Sequence, residues 1–301
     1  MAVRVVTEQV PIATGRRGTL RGALTLLRNP KAVAGLGLFG AFVLLALLAP
    51  VIAPYDPHAL QFAQMLQPSP AHLLGTTGTG QDIFSQLLWS TRESLLIAVG
   101  AGLGATVLSV LIGVTAAYLG GFWDHVLSLF TDVFLVLPTL PLMIIIGSYL
   151  NNRGLIVLVG VIVVTGWSYG ARQLRSQALS IRNREFLEAA RVRGERTSYI
   201  IVFEVLPNMT SLIVAIFLGA ALYAVVAAAG LQFIGLGDPN SLSWGTMLYW
   251  AQANGALLAG SPLWVLAPGL CIAALGAAFA LMNYAFDELA NPALRPVKRR
   301  R

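Results

Sequence analysis

Residues 95–119 read LLIAVGAGLGATVLSVLIGVTAAYL, an apolar run that contains no charged side chain. A helix rises 1.5 Å per residue, so about 20 apolar residues cross the roughly 30 Å of hydrocarbon in a bilayer. The run also lacks the alternation of polar and apolar residues that barrel strands show. Because a backbone in lipid must satisfy its own hydrogen bonds, the stretch predicts a transmembrane α-helix.

Five further apolar runs flank this one. They cover residues 32–53, 126–150, 155–169, 212–236 and 263–286. The chain of 301 residues is 56% hydrophobic and only 11% charged, whereas a soluble domain is about 25% charged. Composition and runs together predict an all-α integral membrane protein with six transmembrane helices. The third span contains Pro138 and Pro141, which predict a bend that lines a cavity.

The basic residues predict the orientation. All but two of the 20 Lys and Arg residues, Arg92 and Arg153, lie in three segments: before the first span, between the fourth and fifth, and after the sixth. Six spans place these three segments on one side, which the positive-inside rule makes cytoplasmic. Both termini are therefore predicted to be cytoplasmic. The basic tail, residues 291–301, is expected to contact anionic lipid headgroups rather than nucleic acid.

The connection between the fourth and fifth spans differs from the rest of the chain, since it is rich in charge and in helix formers. Asn183 is a candidate N-cap for a helix at about residues 184–197, and Glu185 lies in its first turn, where the helix dipole favours an acid. Phe186, Ala189 and Ala190 have the spacing of a short apolar face.

The end of this segment also has turn and helix-start signals. Gly194 permits a sharp turn, and Pro207 suits the start of the next helix. Two functions fit a short cytoplasmic helix of this kind. It is either a helix on the membrane surface or a docking helix, in which small alanines allow close insertion into a partner and Glu188 supplies a directed charge.

The pattern Glu188-Ala189-Ala190, Gly194 and Leu206-Pro207, with Ile200 and Ile201 between them, resembles the signature loop of binding-protein-dependent ABC permeases. The resemblance implies that the helix around Glu188 docks into a cleft of a cytoplasmic ATPase. The ATPase-coupling site would then consist of Glu188, Ala189, Ala190, Gly194, Leu206 and Pro207. ATP-driven closure of two ATPases would reorient the permease helices.

Further motifs resemble the C-type subunit of dipeptide and oligopeptide permeases, from about Arg28 to Pro292. They are Arg28-Asn29-Pro30; Gly75-Thr76 and Gly80-Gln81-Asp82; Tyr118, Gly120, Gly121, Asp124, Asp132 and Pro138; and Phe233–Gly237, Trp244-Gly245 and Asn291-Pro292. The block before the second helix (Gly75, Thr76, Gly80, Asp82) is the expected outer-face block. It departs from the family pattern at Thr77 and Gln81, where an acid and an arginine are usual.

This resemblance implies a type I ABC importer permease fold in a bacterial or archaeal cytoplasmic membrane. The implied divisions are a cytoplasmic tail (1–31), a first helix with an extracytoplasmic loop (32–94), a permease core (95–290) and the basic tail. The implied partners are a second related permease, two cytoplasmic ABC ATPases and an extracytoplasmic solute-binding protein. No enzymatic activity or cofactor is expected in this chain, because the ATPases would bind ATP and Mg.

The solute remains open at this stage. Di- and oligopeptides are implied, with oligosaccharides or nickel chelates as alternatives within the same architecture, and a self-sufficient carrier or channel as a different class. His58, His72 and His125 have no metal-site spacing. Asp132 is the candidate charge within the spans, either in the pathway or paired with a cytoplasmic arginine. Such scarcity of intramembrane charge favours an external energy source over proton coupling.

Overall fold

The computed structural model describes residues 29–150 and 153–290. Most of the predicted tails, 1–31 and 291–301, and the Asn291-Pro292 motif therefore lie outside the described part. The helices are α1 Pro30–Ile52, α2 Ile83–Leu119, α3 Gly121–Val136, α4 Thr139–Tyr149, α5 Leu155–Gly166, α6 Ser168–Ile181, α7 Glu185–Val192, α8 Thr197–Tyr199, a π-helical turn Ile200–Val205, α9 Leu206–Asn208, α10 Thr210–Phe233, α11 Trp244–Ala253 and α12 Leu263–Ala290.

The predicted all-helical class is confirmed for the described residues. Their β-type backbone pairing is limited to an isolated bridge between Thr76 and Asp82. Four helices, α1, α2, α10 and α12, are individually long and apolar enough to cross a membrane. Two bent pairs, α3 with α4 and α5 with α6, meet the same test only together. The structure therefore supports four spans, or six when each bent pair counts as one.

The bend between α3 and α4 follows from proline chemistry. The chain turns by 92° there, with Pro138 as the N-cap residue of α4. A proline disfavours helical geometry in the residue before it, and Leu137 accordingly has an extended ψ of 130°. Pro141 lies in the first turn of α4, where a backbone N–H has no partner within the helix. The predicted bend is therefore present, and only Pro138 breaks the helix.

Helix α2 begins well before the predicted start of its span at Leu95. Asp82 caps its N-terminus by accepting a hydrogen bond from the Ser85 N–H at 2.8 Å. The first turns, which include Arg92 and Glu93, are too polar to be recognised as part of a membrane span. At the other end Gly120, with φ of +66°, terminates the helix.

Helix α2 lies at the centre of the bundle and packs against α1, α5, α6 and α10. Its glycines permit this: a Cβ on Gly102 would lie 2.9 Å from Cα of Ala221, and one on Gly113 would overlap the Ala171 carbonyl oxygen. Small residues let membrane helices approach closely enough for their backbones to pack. Helix α12 packs on α1, α10 and α11, and α11 was not predicted from the sequence.

Candidate functional site

Helix α7 lies in the connection that the sequence singled out. It begins at Glu185, with Arg184 as an extended N-cap residue whose side chain makes no capping bond. The prediction that Asn183 caps the helix is wrong. The Arg184 N–H bonds to the Ile181 carbonyl at 3.0 Å, so Asn183 lies in the tight turn that joins α6 to α7. Glu185 and Glu188 both lie in the first turn, where the helix dipole stabilises their charge.

One face of α7 is buried against the rest of the chain. Leu187 and Ala190 are fully buried, and they pack in one cluster with Leu174 of α6 and Ile200 of the π-helical turn. Phe186 is 38% exposed. Ala189 is also exposed. The predicted apolar spacing of Phe186, Ala189 and Ala190 is therefore divided between two sides of the helix, because Ala190 is covered by the neighbouring helices while Phe186 and Ala189 are not.

The outer face of α7 consists of Glu185, Phe186, Glu188, Ala189 and Val192. Val192 is 88% exposed, although it is apolar. The Glu188 side chain makes no hydrogen bond or ion pair with the residues that the structure describes. An exposed apolar surface that also carries acids is typical of a surface that binds another protein.

The C-terminus of α7 explains the glycine of the motif. Gly194 has φ of +77°, and its N–H bonds to the Arg191 carbonyl at 2.9 Å while the Glu195 N–H bonds to the Ala190 carbonyl at 3.2 Å. These two bonds form a Schellman cap. A Cβ on Gly194 would meet nothing within 4 Å. Glycine is therefore required here by the left-handed backbone, and crowding has no part in it.

Two arginines connect α7 to the end of α2. Arg191 donates from Nη2 to the Arg182 carbonyl at 3.0 Å, and its guanidinium carbon lies 5.7 Å from the Tyr118 ring centroid. Arg182 in turn donates from Nη1 to the Ala117 carbonyl at 3.2 Å. The positive charge of Arg182 thus lies beside the negative end of the α2 dipole. Sequence reasoning missed this connection, since its members are far apart along the chain.

The remaining predicted coupling residues lie between α7 and α10. Leu206 is partly buried against the cluster that holds Leu187, and Pro207 is exposed in the second position of α9. Arg193 lies 3.6 Å from Glu204, a half-exposed ion pair that adds little stability. The short helix α9 begins at Leu206, so the predicted helix start near Pro207 is observed. The long helix α10 begins at Thr210.

The glycines of the expected outer-face block form the inside of a folded loop. Gly75 and Gly80 both have φ of +82°, and a Cβ on either would overlap a carbonyl oxygen, of Leu66 and Phe62 respectively. Thr76 is fully buried and donates to the Ala63 carbonyl at 2.7 Å. These contacts hold residues 62–66 against the block, so its glycines and threonine have a structural role in this loop.

Asp82 completes the block as a buried carboxylate. Besides capping α2, it lies 3.0 Å from Nδ1 of His72, and neither side chain is more than 8% exposed. Thr77 and Gln81, the two departures from the family pattern, bond to each other, since the Gln81 N–H donates to Thr77 Oγ1 at 3.0 Å. A neutral pair therefore occupies the positions where an acid and an arginine are usual.

Asp132 is more than half exposed, and its carboxylate lies 3.9 Å from Arg172 of α6, which is also exposed. A stronger pair lies nearby, because Arg175 of α6 contacts both carboxylate oxygens of Asp124 in α3, at 2.6 and 2.8 Å. Two acids of α3 thus face two arginines of α6. The arrangement agrees with the interpretation of Asp132 as an acid paired with an arginine. Sequence reasoning did not identify the Asp124 pair.

The helical bundle, with its long apolar helices, is that of an integral membrane protein. In agreement, residues 109–291 match the family model described as "Binding-protein-dependent transport system inner membrane component". The chain belongs to this family, whose members are membrane components of transporters and not catalytic subunits. Residues 21–68 match a second family, described as the N-terminal TM domain of oligopeptide transport permease C.

Individual relatives narrow the resemblance. The chain is 32% identical over 280 residues to the oligopeptide transport system permease protein OppC of Mycobacterium tuberculosis, covering 91% of this chain and 94% of that protein. A putative peptide permease of Brucella suis is 32% identical, with 95% and 93% covered. The dipeptide transport system permease protein DppC of Alkalihalophilus pseudofirmus is 30% identical, with 90% and 88% covered. The suspected resemblance to this family is thereby confirmed.

Proposed function

We propose that this chain is one of two permease subunits in an ATP-driven importer of di- or oligopeptides. The relatives whose names mention oligopeptides or dipeptides match nearly their whole length, which supports this solute class over a sugar or a metal chelate. In the proposed topology each bent pair is one span, so six spans leave both termini and α7 on the cytoplasmic side of a bacterial or archaeal inner membrane. The basic residues then lie on the side that the positive-inside rule requires.

The observation that carries the proposal is the division of α7 into two faces. One face, Leu187 and Ala190, is buried against the permease core, while Phe186, Glu188 and Ala189 point away from it. A helix anchored in this way can transmit a displacement of its outer face to α2 and α6. The proposed receiver is a cleft in a cytoplasmic ATPase, and the Schellman cap at Gly194 gives the docking helix a fixed end. ATP and Mg would bind to that ATPase, and a solute-binding protein would deliver the peptide from the other side.

The experiment that tests the assembly is purification of the tagged chain from gently solubilised membranes, followed by mass spectrometry. Recovery of a second permease and ATPase subunits supports the proposal. A chain that purifies alone and still moves peptide in vesicles without ATP would be a carrier, and the proposed function would be wrong.

The role of Glu188 is tested by charge reversal. Loss of a buried, charge-assisted contact across an interface costs about 2–5 kcal/mol, and a contact at the rim costs less. We expect Glu188→Lys to leave membrane insertion intact and to reduce ATPase co-purification or to uncouple ATP hydrolysis from uptake. Glu185→Lys, the same change one turn earlier on α7, is the matched control and should have a smaller effect. Equal effects of the two variants would show that general charge on α7 matters and that Glu188 has no specific role.

A further inference from the structure

A cavity of about 490 Å³ lies among α2, the bend between α3 and α4, the junction of α5 and α6, and helices α10 and α12. The volume is typical of sites that hold a small organic molecule. The break at Pro138 creates one of its walls, because Phe134, Leu135 and Thr139 line the cavity from the two sides of the bend. The cavity lies in the membrane-spanning part of the chain, away from the outer face of α7.

The lining is mainly apolar, contains several polar side chains and carries no charge. Its polar members include Thr139, Ser168, Gln173, Tyr223 and Asn283, and none of the lining residues is an Asp, Glu, Lys or Arg. The Tyr223 hydroxyl and the Asn283 Oδ1 atom are buried, and neither has a hydrogen-bond partner among the described residues. A buried polar atom without a partner is costly, so these two groups are suited to bind a ligand that enters the cavity.

The absence of charge from the lining restricts the ligand. Moving an ionised group into a poorly solvated site without a counter-charge is strongly unfavourable. Amide and hydroxyl groups are neutral, and they bond to the phenol and the carboxamide that the cavity presents. The aromatic rings of Phe134 and Tyr223 add apolar walls. The cavity therefore fits a neutral chain of hydrogen-bonding groups, and any charged end of the solute must lie outside it.

We propose that this cavity contacts the solute during passage and binds an uncharged, hydrogen-bonding segment of it through Tyr223, Asn283 and Gln173. The inference rests on the proposed transport function and adds the site and the chemistry of the contact. Two solutes share that chemistry: the backbone amides of a peptide and the hydroxyls of an oligosaccharide.

Gly219 makes a clean test possible. It lines the cavity, and a Cβ built on it meets nothing within 4 Å, so Gly219→Leu adds a side chain to the cavity without an immediate clash. Gly230 lies on the same helix α10, has equally open surroundings and is exposed outside the cavity lining. Gly230→Leu is therefore the matched control for the change in helix propensity.

The assay uses the purified complex in lipid vesicles and follows uptake of three solutes: a free tripeptide, the same tripeptide with acetylated and amidated ends, and a neutral trisaccharide. ATP hydrolysis and complex assembly are measured in parallel. We expect Gly219→Leu to lower uptake about tenfold or more, since a pocket discriminates a few methylenes by such factors, while assembly and the control variant stay unchanged. Uptake of the peptides identifies backbone amides as the bound groups, and uptake of the trisaccharide identifies hydroxyls.

A second variant tests the contact residues. Asn283→Asp places a negative charge in the wall, and we expect it to shift relative uptake toward lysine-containing peptides by about tenfold, the effect of about 1.4 kcal/mol. Normal transport by Gly219→Leu in an assembled complex would overturn the inference, and unchanged solute preference in Asn283→Asp would remove the assigned contacts. If the unmodified complex moves none of the three solutes, the proposed function is wrong, which is a different result.

Discussion

The two alanines of α7 are neighbours in the sequence but lie in opposite environments, and this difference gives a sharp prediction. Ala190 is fully buried in the cluster that holds Leu187 and Ile200, whereas Ala189 is exposed. A leucine at either position adds the same three carbon atoms and has a similar helix propensity. The two variants therefore differ in what the added side chain contacts.

At Ala190 the added leucine must fit into a packed cluster. Overpacking of this kind costs typically about 1–3 kcal/mol, and each 1.36 kcal/mol changes an equilibrium about tenfold. We expect Ala190→Leu to increase the population in which α7 is detached from the core. At Ala189 the added side chain points outward, so Ala189→Leu should leave that population unchanged and should obstruct only the partner surface.

Limited trypsin digestion in detergent measures the detached population, because Arg191, Arg193 and Arg196 provide cleavage sites in and after α7. We expect faster cleavage in Ala190→Leu, by about 5-fold to 160-fold for a loss of about 1–3 kcal/mol, and an unchanged rate in Ala189→Leu. Co-purification of the ATPase should fall in both variants. Unchanged ATPase binding by Ala189→Leu, or faster cleavage in that variant, would refute the assignment of the outer face as the docking face.

Two further predictions concern the folded core. Gly113→Ala should lower the free energy of unfolding by about 1–3 kcal/mol, because the new Cβ overlaps the Ala171 carbonyl. The control is Gly100→Ala in the same helix, where a Cβ meets nothing within 4 Å, and it should be neutral or stabilising. Equal melting temperatures of the two variants would contradict the packing argument. Asp82→Ala removes the cap of α2 and should lower the free energy of unfolding by about 0.5–2 kcal/mol or more, as measured by thermal unfolding. An unchanged unfolding midpoint would show that the hydrogen bond to Ser85 contributes nothing.

The sequence alone was sufficient for the class of protein and for the position of the proposed docking segment. Long apolar runs are unambiguous, because lipid requires about 20 consecutive apolar residues whatever their packing. The motif from Glu188 to Gly194 was recognisable because its special backbone, the left-handed Gly194, is a local property of the chain. The bend at Pro138 was predictable for the same reason, since proline alters the conformation of its immediate neighbour.

Tertiary structure decided what depends on residues that are distant along the chain. The buried face of α7 could not be predicted, because its spacing permits two faces and only α6 and the π-helical turn cover one of them. The pair between Asp124 and Arg175 joins residues 51 positions apart, and the bond of Asp82 to His72 depends on the folded outer loop. The uncharged cavity is also a tertiary feature, because five parts of the bundle line it. The sequence of each part, taken alone, has the pattern of an ordinary membrane helix and does not reveal a cavity.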